Sequence, residues 1–284
     1  MRVRAFAKIN LSLRVLGTRA DGYHELRTVF QSIALHDTLT VRRTRGPFAL
    51  TVGDADGSVP SNRRNLVWRA AAALWRSARR RGAPRGVAIH LVKRIPVQAG
   101  LGGGSSDAAA ALRALARIWR IDAGAVRSAA ARLGADVPFF LEGGTVLGLE
   151  RGDVLFPLID RPRVWVVLVV PAFGVSTPEA FGWWAAAHRK HVRRAYDVQP
   201  KWSGVNDLQG PVAAHHREIT RIVRALTRTG AHLAAMSGSG SAVFGLFPTR
   251  SAAQRAARAV GSPVRRVLVT RTLTRAEYRR LAGN

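Results

Sequence analysis

The sequence predicts an α+β protein of two lobes, and three observations carry that prediction. The N-terminal segment alternates apolar and polar residues with a period of two, as a strand does. A glycine-rich stretch at residues 100–106 joins a second strand pattern to an alanine-rich helix pattern. Pro157, Asp160 and Pro162 cluster between two blocks that each mix strand and helix patterns, which divides the chain into lobes at 1–158 and 159–284.

Along residues 3–16, Val3, Ala5, Ala7, Ile9, Leu11, Leu13 and Val15 fall on one face and Phe6, Lys8, Asn10, Ser12 and Arg14 on the other. Asp21-Gly22 marks a turn, and Thr38 to Arg42 reads as another strand. Asn65 to Arg79 reads as a helix, with Leu66, Ala70, Ala73 and Leu74 at helical spacing and Gly82 and Pro84 behind it. Val87, Ile89 and Leu91 alternate into the glycine stretch. Ser105 or Ser106 is placed to cap the helix that follows, with Asp107 in its first turn. Leu112, Leu115 and Ile118 form the apolar stripe of that helix. Ala123 to Leu133 is a further helix closed by Gly134. Val164 to Val170 is β-branched and apolar, a buried strand. The second half ends in the strand Val267-Leu-Val-Thr270 and a terminal helix.

The 284 residues, 47% hydrophobic, can bury one large core or two smaller ones. No run approaches the ~18 apolar residues of a membrane span, and Lys8 and Arg14 interrupt any apolar leader. The absence of cysteine excludes disulfides, thiolate zinc sites and cysteine nucleophiles, and points to the cytoplasm. The net charge of +28 comes from 41 Arg and 4 Lys spread along the whole chain. That distribution argues for no specific nucleic-acid partner, while the field favours anionic metabolites. A monomer or weak homodimer is expected.

Gly100, Gly102, Gly103, Gly104, Ser105 and Ser106 surround only Leu101. Bare backbone N–H groups and the positive end of a helix make such a loop an anion site, and a nucleotide phosphate suits it best. It is not a P-loop, because Gly104 is followed by Ser105-Ser106 and not by Lys and Ser/Thr. It is not a dinucleotide fingerprint either, because Ser105 stands where the third glycine belongs. Lys8 and Asn10 share a strand face that is either solvated or functional. Asp136, in Leu133-Gly-Ala-Asp-Val-Pro-Phe-Phe140, is on its own a turn or capping aspartate. A second loop, Ser237-Gly-Ser-Gly-Ser241, joins a helix pattern to the strand Ala242–Phe247.

Taken together, these segments resemble the GHMP kinase superfamily. Pro96-x3-Gly-Leu-Gly102 with its Gly-Ser-Ser continuation is similar to that family's phosphate loop, and Met236–Ser241 to its C-terminal glycine motif. Ala5–Leu13, Asp21-Gly-Tyr-His-Glu-Leu26, Gly134–Phe140 and Asn206-Asp-Leu208 resemble, in order, the blocks of the 4-diphosphocytidyl-2-C-methyl-D-erythritol kinases. The alternative within the superfamily is a kinase for mevalonate, homoserine or another small alcohol, whose substrates offer Tyr23 and His24 no base to stack.

The resemblance implies an N-terminal lobe like domain 2 of ribosomal protein S5 and a ferredoxin-like C-terminal lobe. It implies ATP with Mg²⁺ as phosphoryl donor and the 2-hydroxyl of a cytidine diphosphate conjugate as acceptor. Lys8 and Asp136 are then the catalytic pair, and Asn10 a polyol contact. Tyr23, His24, Thr177 and Phe181 belong to the cytidine pocket. Asn65 contacts adenosine, and Pro96 with the loop Gly100–Ser106 takes the ATP phosphates, where Ser105 or Ser106 could also meet the metal; no side chain is otherwise assigned as a metal ligand. Glu150 replaces a common glycine and Ala242 a polar or small sulfur residue. Residues 182–202 match the family poorly and are expected to be an irregular insertion.

Overall fold

The computed structural model describes residues 1–54, 57–188 and 204–283. Strands β1 (Arg2–Thr18) and β2 (His24–Pro47) form a long antiparallel hairpin, the spine of the molecule. Asp21-Gly22 builds its turn: the Gly22 N–H donates to the Arg19 carbonyl at 3.1 Å, and Asp21 Oδ1 accepts the Tyr23 N–H at 3.1 Å. Then come β3 (Ala49–Gly53), α1 (Leu66–Ser77), β4 (Arg85–Val92), α2 (Gly103–Trp119), α3 (Ala123–Leu133), α4 (Phe139–Glu142), β5 (Thr145–Glu150) and β6 (Val154–Pro157). This sheet runs β3-β4-β2-β5-β6, with β1 paired to β2.

A second, antiparallel sheet sets Arg265–Arg271, Trp165–Pro171, Val243–Phe247 and Leu233–Met236 side by side in that order. Its elements are β7 (Trp165–Pro171), α5 (Thr177–His188), α6 (Gln209–His215), α7 (Glu218–Arg228), β8 (Leu233–Met236), β9 (Val243–Phe247), α8 (Arg250–Ala259), β10 (Arg265–Arg271) and α9 (Arg275–Ala282). Mixed helices and two sheets bear out the α+β class.

Three apolar clusters explain why the sheets stay together. Helices α1, α2 and α3 turn Leu74, Leu112, Leu115 and Ala130 onto Leu39, Ile89 and Leu91 of the first sheet. Trp184, Leu208, Ile222 and Phe247 form a core of the second half that also takes Leu13 and Val15. Between them, Ala7, Ile9 and Leu11 of β1 meet Val166, Leu168 and Phe244 of the second sheet. Transfer of a Leu- or Ile-sized side chain into such a core contributes about 1.5–3 kcal/mol.

Several expectations need correction. Of the two readings left open for the polar face of β1, the solvated one fails: Lys8 and Asn10 are buried, and Phe6 packs on Tyr278 and Leu273. β1 is covered on both sides, by α9 at Phe6 and by the second sheet at Ala7, Ile9 and Leu11, and register shifts at Phe6/Lys8 and Asn10/Ser12 interrupt its pairing with β2. Thr38–Arg42 is only the far half of β2, whose near half hides the buried polar residues Thr28, Gln31 and Ser32 among apolar ones. The segment before the second glycine loop is strand β8, not helix, because Gly230 separates it from α7. Neither Ser105 nor Ser106 caps α2, and Asp107 lies in its second turn and not its first. Gly102, at φ +70°, starts the helix one turn earlier and supplies no side-chain cap, leaving its first N–H groups for a ligand. Residues 182–188 continue α5 as regular helix, contrary to the expected irregularity; 189–202 lie outside the described residues.

Candidate active site

A cleft of about 1060 Å³ opens between the hairpin, α1, α2, α5 and the two glycine loops. Lys8, Asn10, Tyr23, His24, Asn65, Pro96, Gly100 to Ser105, Asp136, Thr177 and Phe181 all line it. Ser106 does not: its buried hydroxyl donates to the Phe6 carbonyl at 2.6 Å, which ties α2 to β1. With its single proton given to Phe6, the Ser106 hydroxyl is not a donor to phosphate in this arrangement.

The two glycine loops meet edge to edge. Ser237 Oγ donates to the Gly100 carbonyl at 3.0 Å, and the Ala242 N–H donates to the Ala99 carbonyl at 3.2 Å. Asn206 explains its motif here. Its amide donates to the carbonyls of Met236 and Gly238, both at 2.8 Å, and so fixes the second loop. The glycines are required by contact. A Cβ on Gly102 would lie 2.6 Å from the Phe140 ring and 3.2 Å from Lys8 Cγ.

Lys8 stands where the loops converge. Its backbone N–H donates to the Leu101 carbonyl at 3.0 Å, which locks β1 to the loop. Its ammonium donates to Asn10 Oδ1 at 2.7 Å, and Asp136 Oδ2 lies 3.6 Å away. Asn10 in turn donates to Thr28 Oγ1 at 2.7 Å, so the ammonium is aimed by a chain of fixed groups. Asp136, just after the C-cap Gly134 of α3, is about one-third exposed at its side chain and keeps a face toward the cleft.

At the hairpin end, His24 stacks on Phe181 with centroids 4.7 Å apart and meets the edge of Trp184 at 5.4 Å. Burial pushes the His24 imidazole below its ordinary range, so it is neutral near pH 7. Its Nε2 is buried and without a hydrogen-bond partner among the described residues. Tyr23 is 57% exposed, with the Arg151 guanidinium 5.2 Å from its ring centre. At the opposite end Asn65 is the N-cap of α1: Oδ1 accepts from the Val67 N–H at 2.8 Å and Nδ2 donates to the Pro60 carbonyl at 2.7 Å. One amide proton is left for a ligand.

Two residues that pattern alone does not flag are Lys93 and Asp107. Lys93 stands just before the loop, in a chain with four lysines, which is the signal that could have singled it out. Its ammonium donates to Asp107 Oδ2 at 2.6 Å and to Asp37. Burial opposes the charge on Lys93, but Asp107 and Asp37 outweigh it and raise its pKa. For Asp107, burial raises the carboxyl well above its usual range; Lys93 opposes that and Asp37 adds to it. A carboxyl raised above its unfolded value of about 3.9 binds more protons folded than unfolded, so stability falls as pH climbs from that value through the folded-state pKa. Asp107→Asn removes this loss. Its melting temperature relative to the parent is expected to be higher at pH 8 than at pH 4, as read by thermal unfolding; an identical difference at both pH values contradicts the shift.

Residues 65–144 match the family model for the GHMP kinases N terminal domain, and residues 200–266 that for the GHMP kinases C terminal. The chain is 40% identical to 4-diphosphocytidyl-2-C-methyl-D-erythritol kinase of Moorella thermoacetica, over 95% of this chain and 98% of that one. It is 42% identical to the enzyme of that name from Anaeromyxobacter dehalogenans strain 2CP-C, over 95% and 90%. A crystal structure of 4-(cytidine 5'-diphospho)-2C-methyl-D-erythritol kinase aligns with a TM-score of 0.78 at 35% identity, covering 96% and 99% of the two chains. Homoserine kinase from Cytophaga hutchinsonii aligns with a TM-score of 0.68 at 17% identity over 96% and 95%, a likeness of fold. This chain belongs to the 4-diphosphocytidyl-2-C-methyl-D-erythritol kinase family of the GHMP kinases.

Proposed function

We propose that this chain transfers a phosphoryl group from ATP to the 2-hydroxyl of 4-diphosphocytidyl-2-C-methyl-D-erythritol, giving the 2-phosphate and ADP, a step of the non-mevalonate (MEP) route to isoprenoid precursors. One observation carries the reading. A single cleft holds the paired glycine loops, the Lys8–Asp136 pair beside them, and the stacked His24 and Phe181 at its far end.

A tertiary alcohol is a crowded, weak nucleophile, so the site must orient it and manage its proton. Asp136 accepts that proton or holds the hydroxyl in line; Lys8 stabilises charge on the oxygens of the phosphoryl group in flight. Asn10 fixes the ammonium and is placed to bond the polyol. Backbone N–H groups of Gly102 to Ser105 receive the ATP phosphates, and Gly100 and Gly102 keep that loop in shape, because a Cβ at Gly100 would strike the backbone of the facing loop and one at Gly102 the Phe140 ring. Mg²⁺ entering with ATP would neutralise phosphate charge, and Ser105, which lines the cleft, would hold it. Tyr23 and Phe181 stack the cytosine while His24 reads its edge; Thr177 flanks them. We further place the lobe boundary at 158/159 and the enzyme in the cytoplasm as a monomer or weak homodimer. No helix among the described residues is long and apolar enough to cross a membrane.

Tyr23→Ala and Phe181→Ala test the base pocket. Base–aromatic stacking contributes about 1–3 kcal/mol, so KM for the cytidine conjugate should rise roughly tenfold or more while KM for ATP stays within about twofold. A rise in KM for ATP alone contradicts the assignment.

A further inference from the structure

Asp37, Lys93 and Asp107 form a buried charge cluster with no step of its own in the transfer. Asp37 belongs to β2, Lys93 follows β4, and Asp107 lies in the second turn of α2. Asp37 is fully buried, and the side chains of Lys93 and Asp107 are 7% and 4% exposed. Lys93 Nζ donates to Asp107 Oδ2 at 2.6 Å and to Asp37 Oδ2. Asp37 Oδ1 accepts the backbone N–H of Arg94 and, at 2.8 Å, that of Ile95.

These bonds grip both ends of the glycine loop. Residues 93–95 enter it and Asp107 follows its exit into α2, and both are tied to an interior strand. The ammonium also lies against the loop: a Cβ on Gly103 would sit 3.4 Å from Lys93 Nζ. With two carboxylates on one ammonium, Lys93 has no surplus positive charge to offer a phosphate. Lys93 and Asp107 both border the cleft, but with the ammonium's charge already matched its main effect on an anion comes through the shape of the loop.

We propose that Asp37, Lys93 and Asp107 are positioning residues, a clamp that holds the phosphate loop with its N–H groups converged before ATP arrives. A loop preorganised in this way binds without the ordering cost of a floppy one. This rests on the reading of the loop as the ATP cradle.

The test compares Asp107→Ala with Asp107→Asn, which keeps an oxygen acceptor for Lys93. In Asp107→Ala, KM for ATP should rise at least about tenfold, with kcat at saturating ATP reduced less than about threefold and KM for the cytidine conjugate unmoved; Asp107→Asn should recover most of the affinity. Calorimetric titration with ATP alone should give the same ranking. Equal ATP affinity in Asp107→Ala and the parent, or a parallel rise in both KM values, overturns the clamp. No ATP binding by the parent chain would overturn the kinase reading instead. Should Asp107→Ala not fold, Asp37→Asn cuts the same network more gently, since its one oxygen serves either Lys93 or the loop N–H groups but not both. It should raise KM for ATP several-fold, and an unchanged value overturns the proposal.

Discussion

Asp136→Ala is expected to abolish turnover while ATP binding persists. The carboxylate is the titratable acceptor nearest Lys8, at 3.6 Å, and it faces the cleft. Without it the hydroxyl loses both its orienting partner and its proton acceptor, and the Lys8 ammonium keeps Asn10 and the Phe30 ring 5.4 Å away. A loss of about 10²–10⁴-fold in kcat is the range for removing such a group. The ATP cradle is built from backbone at Gly100 to Ser105, so the nucleotide's affinity should change by less than about threefold. Steady-state kinetics with calorimetric ATP titration separates the two. Asp136→Asn then divides the roles, since an amide can hold a hydroxyl in line but cannot take its proton. Retained turnover in Asp136→Ala would remove the residue from the mechanism.

Gly100→Ala is expected to be nearly as damaging by a different route. Gly100 sits at φ +71°, where L side chains are strained. A Cβ there would lie 2.0 Å from the Ser237 carbonyl oxygen and 3.1 Å from the Gly240 nitrogen, both backbone atoms of the facing loop. No side chain can swing aside to relieve that contact, so the two loops must part. Parting them breaks the Ser237–Gly100 bond and displaces the N–H groups that receive phosphate. A shift of about 1 Å at a reacting site can lower the rate about 100-fold. Overpacking of this kind destabilises by about 1–3 kcal/mol. The expected result is loss of turnover with weakened ATP binding and a lower melting temperature. Normal ATP affinity in Gly100→Ala would show that the loops need not touch.

Much of this was legible in the sequence because it is local. Ala123–Leu133 is bounded as its pattern says, Asn65 caps α1, and the glycine loop sits between a strand and a helix. The site residues share one cleft, to which β1, the two glycine loops and α5 each bring part of the set. What was illegible depends on partners far along the chain. The polar face of β1 can be read as solvent-facing until α9, far along the chain, packs on Phe6. The Asp37–Lys93 bond joins residues 56 positions apart, and no periodicity announces it. Ser106 looks like a cap or phosphate ligand because hydroxyls at a helix start usually serve there; the αL turn at Gly102 instead delivers it to the Phe6 carbonyl. The loop was also expected to lack a lysine of its own. Lys93 lies beside it, but two carboxylates occupy its charge.

The central claim is that this cleft phosphorylates an alcohol attached to a cytidine diphosphate. ATP turnover should be measured against the cytidine conjugate, free methylerythritol phosphate, mevalonate and homoserine under the same conditions. The account predicts phosphorylation of the conjugate with kcat/KM at least about 100-fold above each of the others, because only the conjugate carries a base for Tyr23, His24 and Phe181. Equal or better use of mevalonate or homoserine would contradict it.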